Sequence, residues 1–246
     1  MPHAICKNCG RDVCYPVGDE PHCPCQSKDF ILLEQTKIMQ AKDLAYLRST
    51  EMGSKLIRTI EKIDEQYTVF QSYKELFWIY DHLKKIRPGV IVEIGCYNGG
   101  TLEVWRQFAR LGGLDAKKII GIDIDTQRIK IASEAKDKVT LLQFDSTDPA
   151  LAGKLDVTLA GDKIDFAFID GQHIYSYVMN DFQLLWPRVR NGGAVAFHDI
   201  SWSEGDVGRF WGELKGDKHE TREAFGIGII YKEVDNAAMD LSKMQD

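Results

Sequence analysis

Residues 90–101, Val-Ile-Val-Glu-Ile-Gly-Cys-Tyr-Asn-Gly-Gly-Thr, constrain this chain more than any other stretch. An apolar, β-branched run from Val90 to Ile94 gives way to a glycine-rich turn, and a helical pattern opens at Thr101. Strand, tight turn and helix together present backbone N–H groups and a helix N-terminus to a ligand. Glycine in the turn would let a nucleotide approach the backbone closely. Glu93 argues against a phosphate, because a carboxylate two residues before the first glycine would repel it. It would suit a ligand with a cationic end. A plain structural turn between strand and helix is the alternative.

The surrounding spacing strengthens the ligand reading. Lys118–Asp125 reads as a second buried strand ending in acids, about 20 residues beyond the glycines, where nucleotide-binding units place a ribose-binding acid. Asp123 is the candidate, and Asp125 starts the next helical turn. The stretch Glu93-x-Gly95-x-x-x-Gly99-Gly100 resembles the cofactor loop of class I S-adenosylmethionine-dependent methyltransferases. It is not the dinucleotide fingerprint, because Cys96 and Tyr97 stand where a second glycine is needed. The resemblance implies that Glu93 and the loop of Gly95, Tyr97, Asn98, Gly99 and Gly100 hold the methionine part, with Asp123 on the ribose. It places Asp145 and Ser146, at the end of a third strand, on the adenine amino group. Asp145 reads equally well as a helix N-cap.

Residues 89–234 alternate strands, expected at 90–94, 118–122, 139–144, 164–169, 193–198 and 226–232, with helical patterns. The expected fold class is α/β, a doubly wound and mostly parallel sheet with ligands at the carboxyl ends of its strands. Residues 29–88 read as N-terminal helices from their apolar spacing, the last stopped by Pro88-Gly89. Such helices cover the active site or dimerise in related proteins, so a homo-oligomer formed through them is one expectation. Tyr67 and Gln71 precede the last helix, within reach of the cofactor. Residues 235–246 form a C-terminal tail.

Ile164–Ile169 is an apolar strand followed by Asp170-Gly171-Gln172-His173, and Gly192–Phe197 is another followed by His198-Asp199. Adjacent strand ends would bring these acids and imidazoles to one crevice, where a divalent cation would suit them. Such an ion would also lower the pKa of a substrate hydroxyl. The pattern resembles small-molecule O-methyltransferases, including the catechol and caffeoyl-coenzyme A enzymes. Asp170 falls at their metal aspartate and His173 at their catalytic lysine, while His198-Asp199 departs from their Asp-Asn. A nearer resemblance is to the macrolide, sugar and cephalosporin-hydroxylase-like group. It rests on Ile-Asp-Gly-x-His-x-Tyr-x-x-Val-x-x-Asp at 169–181 and Gly-Gly-x-x-x-x-His-Asp at 192–199, and covers residues 68–232.

The resemblance implies S-adenosylmethionine-dependent methyl transfer to a hydroxyl of a small molecule, a sugar or natural product. His173 would be the general base. Asp170 and Asp199, with His198, would hold a Mg²⁺-like ion, and Asp170 and His198 would flank the chemistry. A nitrogen or carbon acceptor without a metal, or a non-catalytic cofactor-binding partner, are the rival readings. An oxidoreductase is disfavoured, since no haem or flavin fingerprint is present. Asp181 reads as a solvated or capping residue. Trp202, Phe210 and Trp211 read as core or as stacking surface for a ring.

Five of the six cysteines lie within the first 25 residues. Residues 1–28 show no apolar period and would need a metal to fold. Cys6, Cys9, Cys23 and Cys25 are the expected structural zinc ligands, with Cys14 or His22 as substitutes. The chain has 31 basic and 37 acidic residues, a net charge of −6, and no basic stripe, which speaks against a nucleic-acid partner. With no leader and no long apolar run, the expectation is a cytoplasmic protein without a membrane partner.

Overall fold

The computed structural model describes residues 48–233 throughout, and before them the backbone of three strands, β1 (His3–Cys6), β2 (Asp12–Cys14) and β3 (Phe30–Leu32). These pair antiparallel in the order β2-β1-β3, with Ile5 opposite both Asp12 and Ile31. Phe30–Leu32 is thus a strand where the spacing predicts helix, because a short apolar run does not distinguish the two. The expected zinc ligands Cys6, Cys9, Cys23 and Cys25, with Cys14 and His22, lie outside the described side chains, as does the 235–246 tail.

Two helices precede the main sheet. In α1 (Glu51–Asp64), Gly53, Leu56, Ile57, Ile60 and Ile63 form one buried stripe, and the Thr50 hydroxyl caps the Gly53 amide at 3.0 Å. In α2 (Tyr73–Ile86), Ser72 and Glu75 make a reciprocal capping box. The helix stops at Arg87 in a left-handed conformation, one residue before Pro88. Burying each Leu or Ile of these stripes contributes about 1.5–3 kcal/mol, which fixes α1 and α2 onto the sheet.

The sheet has seven strands in the order β6-β5-β4-β7-β8-β10-β9. They are β4 (Val90–Ile94), β5 (Lys118–Asp123), β6 (Val139–Gln143), β7 (Ile164–Ile169), β8 (Val189–His198), β9 (Asp217–Thr221) and β10 (Ile227–Tyr231). The first five in that order are parallel, and β10 and β9 return antiparallel at one edge. Further helices are α3 (Gly100–Leu111), α4 (Ala150–Leu159), α5 (Tyr175–Leu185) and α6 (Val207–Glu213). Helices α1–α3 cover one face of the sheet and α4–α6 the other, each over its own buried cluster. Strand β9 escapes the sequence reading, and β8 starts earlier than expected.

The direction in which strands are added reverses between β4 and β7. The carboxyl ends of those two strands therefore frame the crevice where doubly wound sheets bind ligands. Among the described residues no helix is long and apolar enough to cross a membrane.

Candidate active site

The glycine-rich turn follows β4. Gly95 has φ 85°, and its amide donates to the Ile122 carbonyl at 2.9 Å. A side chain at this position would fall on the Asp170 backbone carbonyl. Glycine here is what lets two segments of the chain meet. Tyr97 also takes a left-handed conformation, with Phe70 against its ring at 5.4 Å and the Arg128 guanidinium over it at 5.2 Å. The Asn98 side-chain oxygen accepts from the Gly100 amide at 3.3 Å. Gly99 is the N-cap of α3 and Gly100 its first residue.

Asp123 ends β5 and organises this turn. Its Oδ2 accepts from the amides of Cys96 at 2.9 Å and Tyr97 at 3.0 Å, and its Oδ1 from the Asp125 amide at 2.9 Å. Asp125 caps the short turn of helix 126–128, as its place in the sequence predicts.

Glu93 lies inside the protein. It is completely buried on the α3 side of β4, and its Oε1 accepts from the Thr101 hydroxyl. Burial pushes its carboxyl well above the ordinary range, the Thr101 hydrogen bond and others only partly opposing this. Burial thus disfavours a charge on Glu93, which fastens the first turn of α3 through Thr101. Asp145 is corrected in part: it caps a turn through the amide of Thr147 at 2.9 Å, while Asp148 receives the first amide of α4. The Ser146 carbonyl accepts from Asn180 at 2.7 Å.

The second half of the site lies at the ends of β7 and β8, whose register places Ile169 beside Phe197. One donor atom each from Asp170, His173 and Asp199 lies within 4.8 Å of the others. His173 Nε2 is 2.8 Å from Asp199 Oδ2 and 3.9 Å from Asp170 Oδ1. It is nonetheless buried without a well-aligned hydrogen bond. The expected trio of Asp170, His198 and Asp199 also lies together, so both histidines border the two carboxylates. His198 is buried one layer behind, with Nδ1 at 3.3 Å from Asp170 and 3.1 Å from Asp199, and Nε2 at 3.6 Å from Glu75. Asp199 holds a left-handed conformation, φ 62°, uncommon outside glycine, and the cap of α6 is Asp206 instead.

Charges here bind one another. Burial disfavours the ionised form of Asp170 and Asp199, but His198, with His173 beside it, outweighs it and holds both carboxyls below their usual range. Burial likewise pushes His173 down, and the two carboxylates more than reverse this, raising it to about 9. His198 is raised well above its ordinary value by the same pair.

Two residues from outside the sheet complete the site. Gln71 Nε2 donates to Asp170 Oδ2 at 2.8 Å. Glu75, completely buried, accepts from the Gly226 amide at 2.8 Å and lies next to His198. Glu75 carried a sequence signal only as a capping-box residue, three after Ser72. Tyr67 is buried in the core of the α1–α3 face. Asp181, expected at the surface, is 0% exposed, and burial raises its carboxyl to about 7. Ser146 and Asn180 lie near enough to oppose that rise, yet neither is aligned to hydrogen-bond it. Phe210 and Trp211 are core, whereas Trp202 is half-buried with its ring perpendicular to His173, centroids 5.0 Å apart.

Comparison with known proteins agrees with this geometry. Residues 92–200 match the model of a methyltransferase domain. A 2′-O-methyltransferase of 8-demethyl-8-α-L-rhamnosyl tetracenomycin C from Streptomyces olivaceus is 26% identical over 156 residues, 61% of this chain and 36% of that protein. Demethylmacrocin O-methyltransferase from Streptomyces fradiae is 26% identical over 141 residues, 57% and 31%. The chain thus spans about a third of the length of these curated relatives. The fold is similar to that of MycE, a methyltransferase of mycinamycin biosynthesis solved with Mg, S-adenosylhomocysteine and mycinamycin VI. The TM-score is 0.52 at 18% identity, covering 78% of this chain and 60% of that one. Residues 92–200 are thus similar to a methyltransferase domain, and the O-methyltransferase relatives overlap the same part of the chain.

Proposed function

We propose that this protein transfers the methyl group of S-adenosylmethionine to a hydroxyl of a small molecule, a sugar or sugar-bearing natural product, with a divalent cation assisting. One observation carries the reading: Asp170, His173 and Asp199 converge at the strand ends directly beside the glycine-rich turn. Asp123 and the turn it organises would hold the ribose and methionine parts, and the Asp145–Ser146 segment would lie at the adenine.

Two carboxylate oxygens and an imidazole nitrogen that lacks an aligned partner form a donor set suited to a Mg²⁺-like ion. Such an ion, when bound, would lower the pKa of the acceptor hydroxyl. Asp170 and Asp199 would hold it, with Gln71 orienting Asp170 and His198 supporting both carboxylates. His173 would take the acceptor's proton. With both carboxylates free it holds its own proton to about 9, so it serves as a base near neutrality only when they are engaged elsewhere. The position of Nε2 inside the donor set also favours a second reading, with His173 as a third ligand. The sugar acceptor is suggested by the two O-methyltransferase relatives and by Ile174, 51% exposed beside His173, which offers a ring an apolar shelf.

The test combines cofactor binding with methyl transfer. Asp123→Ala should weaken S-adenosylmethionine binding by about 1–3 kcal/mol in calorimetry, the cost of stranding polar partners. Unchanged affinity with the fold intact would remove Asp123 from this role. Methyl transfer to a rhamnosylated polyketide should fall on chelation and return with Mg²⁺. Full activity in chelator would favour a metal-free reaction. Four cysteines, Cys6, Cys9, Cys23 and Cys25, would hold a structural zinc, with Cys14 or His22 as substitutes. Elemental analysis should then find about one zinc per chain, and a head ordered without metal would count against it.

A further inference from the structure

We propose that Trp202 is a positioning residue for His173 and that Gly205 is the position that keeps Trp202 in place. The proposal rests on the reading of His173 as the proton acceptor. The backbone around the imidazole is already fixed. The Asp206 amide donates to the His173 carbonyl at 2.8 Å, and Asp206 Oδ2 accepts from the Tyr175 amide at 3.2 Å. The orientation of the imidazole itself is set by what packs around it. It has no aligned hydrogen bond at Nε2 to hold it, although that atom lies 2.8 Å from Asp199.

What meets the ring is the indole of Trp202, perpendicular to it at 85° with centroids 5.0 Å apart, a favoured aromatic arrangement. Trp202 is tied to the same turn, its amide donating to the Asp199 carbonyl at 3.1 Å. The donor of the close carboxylate and the indole therefore move as one segment.

Gly205 closes the arrangement from the other side. A side chain there would stand 2.8 Å from Trp202 Cε3, 3.0 Å from its Cζ3 and 3.2 Å from His173 Cβ. Gly205 is not among the residues with positive φ, so its backbone does not itself demand glycine. The empty space at 205 is what admits the indole. The loop from Asp199 to Asp206 thus supplies a carboxylate, an aromatic wall and a backbone anchor to one histidine.

The experiment uses the full chain with Trp202→Ala, Trp202→Phe, Gly205→Ala and His173→Ala, read by crystal structures and by methyl-transfer kinetics. In Trp202→Ala the His173 ring should leave its place, with Nε2 no longer close to Asp199. Turnover should fall by about tenfold or more, since a displacement of about 1 Å in a reacting group costs up to a hundredfold. Acceptor KM and cofactor Kd should change little. Trp202→Phe, which keeps a ring at right angles, should recover most of the loss. Gly205→Ala, which pushes the indole, should lower turnover with the same pattern. Trp202→Ala in the His173→Ala background should add no further loss. A Trp202→Ala structure with His173 unmoved would overturn the proposal. If that variant does not fold, unchanged turnover in Gly205→Ala would do so. Full turnover in His173→Ala would instead overturn the base reading, and the Trp202→Ala structure would still report whether the indole sets the ring.

Discussion

Strands β7 and β8 carry an acid and a base at each of their two ends, and the two ends behave differently. At the amino end, Asp165 Oδ2 accepts from the amides of Gly89 at 2.8 Å and Val90 at 2.7 Å, and Oδ1 pairs with Arg190. Arg190 spends its other nitrogens on the carbonyls of Ile86 and Asn191, both at 2.9 Å. Every polar group there has a partner from the chain itself, and the cluster closes the sheet against the end of α2. At the carboxyl end, His173 Nε2 and His198 Nε2 are buried without hydrogen bonds, Asp199 is held in a left-handed conformation, and Asp181 is buried and unpartnered. Buried polar atoms without partners cost free energy, and they persist where a ligand completes them or where function keeps them. The saturated end is scaffold. The unsaturated end is the one with capacity left for chemistry.

Mutations can break this contrast or sharpen it. The largest effect belongs to His173→Ala, which should lower turnover by roughly 10²–10⁴-fold, the usual contribution of a positioned proton acceptor. Cofactor affinity should hardly move, because the cofactor's expected contacts come from β4, β5 and β6. Near-normal turnover on a true acceptor would transfer the role to another group.

Next comes the pH response of Asp181. Burial raises its carboxyl from 3.8 to about 7, so between those values the folded protein keeps a proton that the unfolded chain has lost. Its stabilising contribution is complete below the unfolded pKa and is lost as pH rises through about 7. Thermal unfolding of wild type and Asp181→Asn should show the variant gaining relative stability between about pH 4 and about pH 7. A constant gap between the two would mean that Asp181 has a partner.

The smallest effect lies at the scaffold end. Asp165→Ala should lose about 1–3 kcal/mol of stability in denaturant unfolding, the cost of stranding buried donors. Turnover per folded molecule should stay the same. A turnover defect there would dissolve the distinction between the two ends.

Much of this was legible in the sequence. Strands β4, β5 and β7 stand close to where their apolar runs predict, because strands buried on both faces are continuous apolar stretches. Strand β9 was not, since Asp217-Lys-His-Glu-Thr is a charged edge strand with one neighbour and little to bury. Asp170, His173, His198 and Asp199 could be placed at one crevice because adjacent parallel strands bring their ends together. Their division into a forward trio and a histidine behind could not, because side-chain direction past a strand end depends on the turn that follows. Gln71 donates across 99 residues of chain, and no local pattern encodes that. Asp181 did carry a signal: Val178, Asp181, Phe182 and Leu185 share one helical stripe, and an acid on it was bound to face inward. The burial of Glu93 could not be read from its place two residues before Gly95, because its contact with Thr101 depends on how α3 sits on β4.

The seam between Gly95 and the Asp170 carbonyl limits how such a chain can diverge. Any residue larger than glycine at 95 strikes the backbone that presents Asp170, so the floor under the donor and the floor under the acceptor are inherited as a unit. Descendants that take up a new acceptor have to vary elsewhere. The residue best placed to do so is Ile174, exposed beside His173, where exchange of the side chain leaves the cofactor turn untouched. Acceptor preference should therefore track that position more closely than it tracks the sheet.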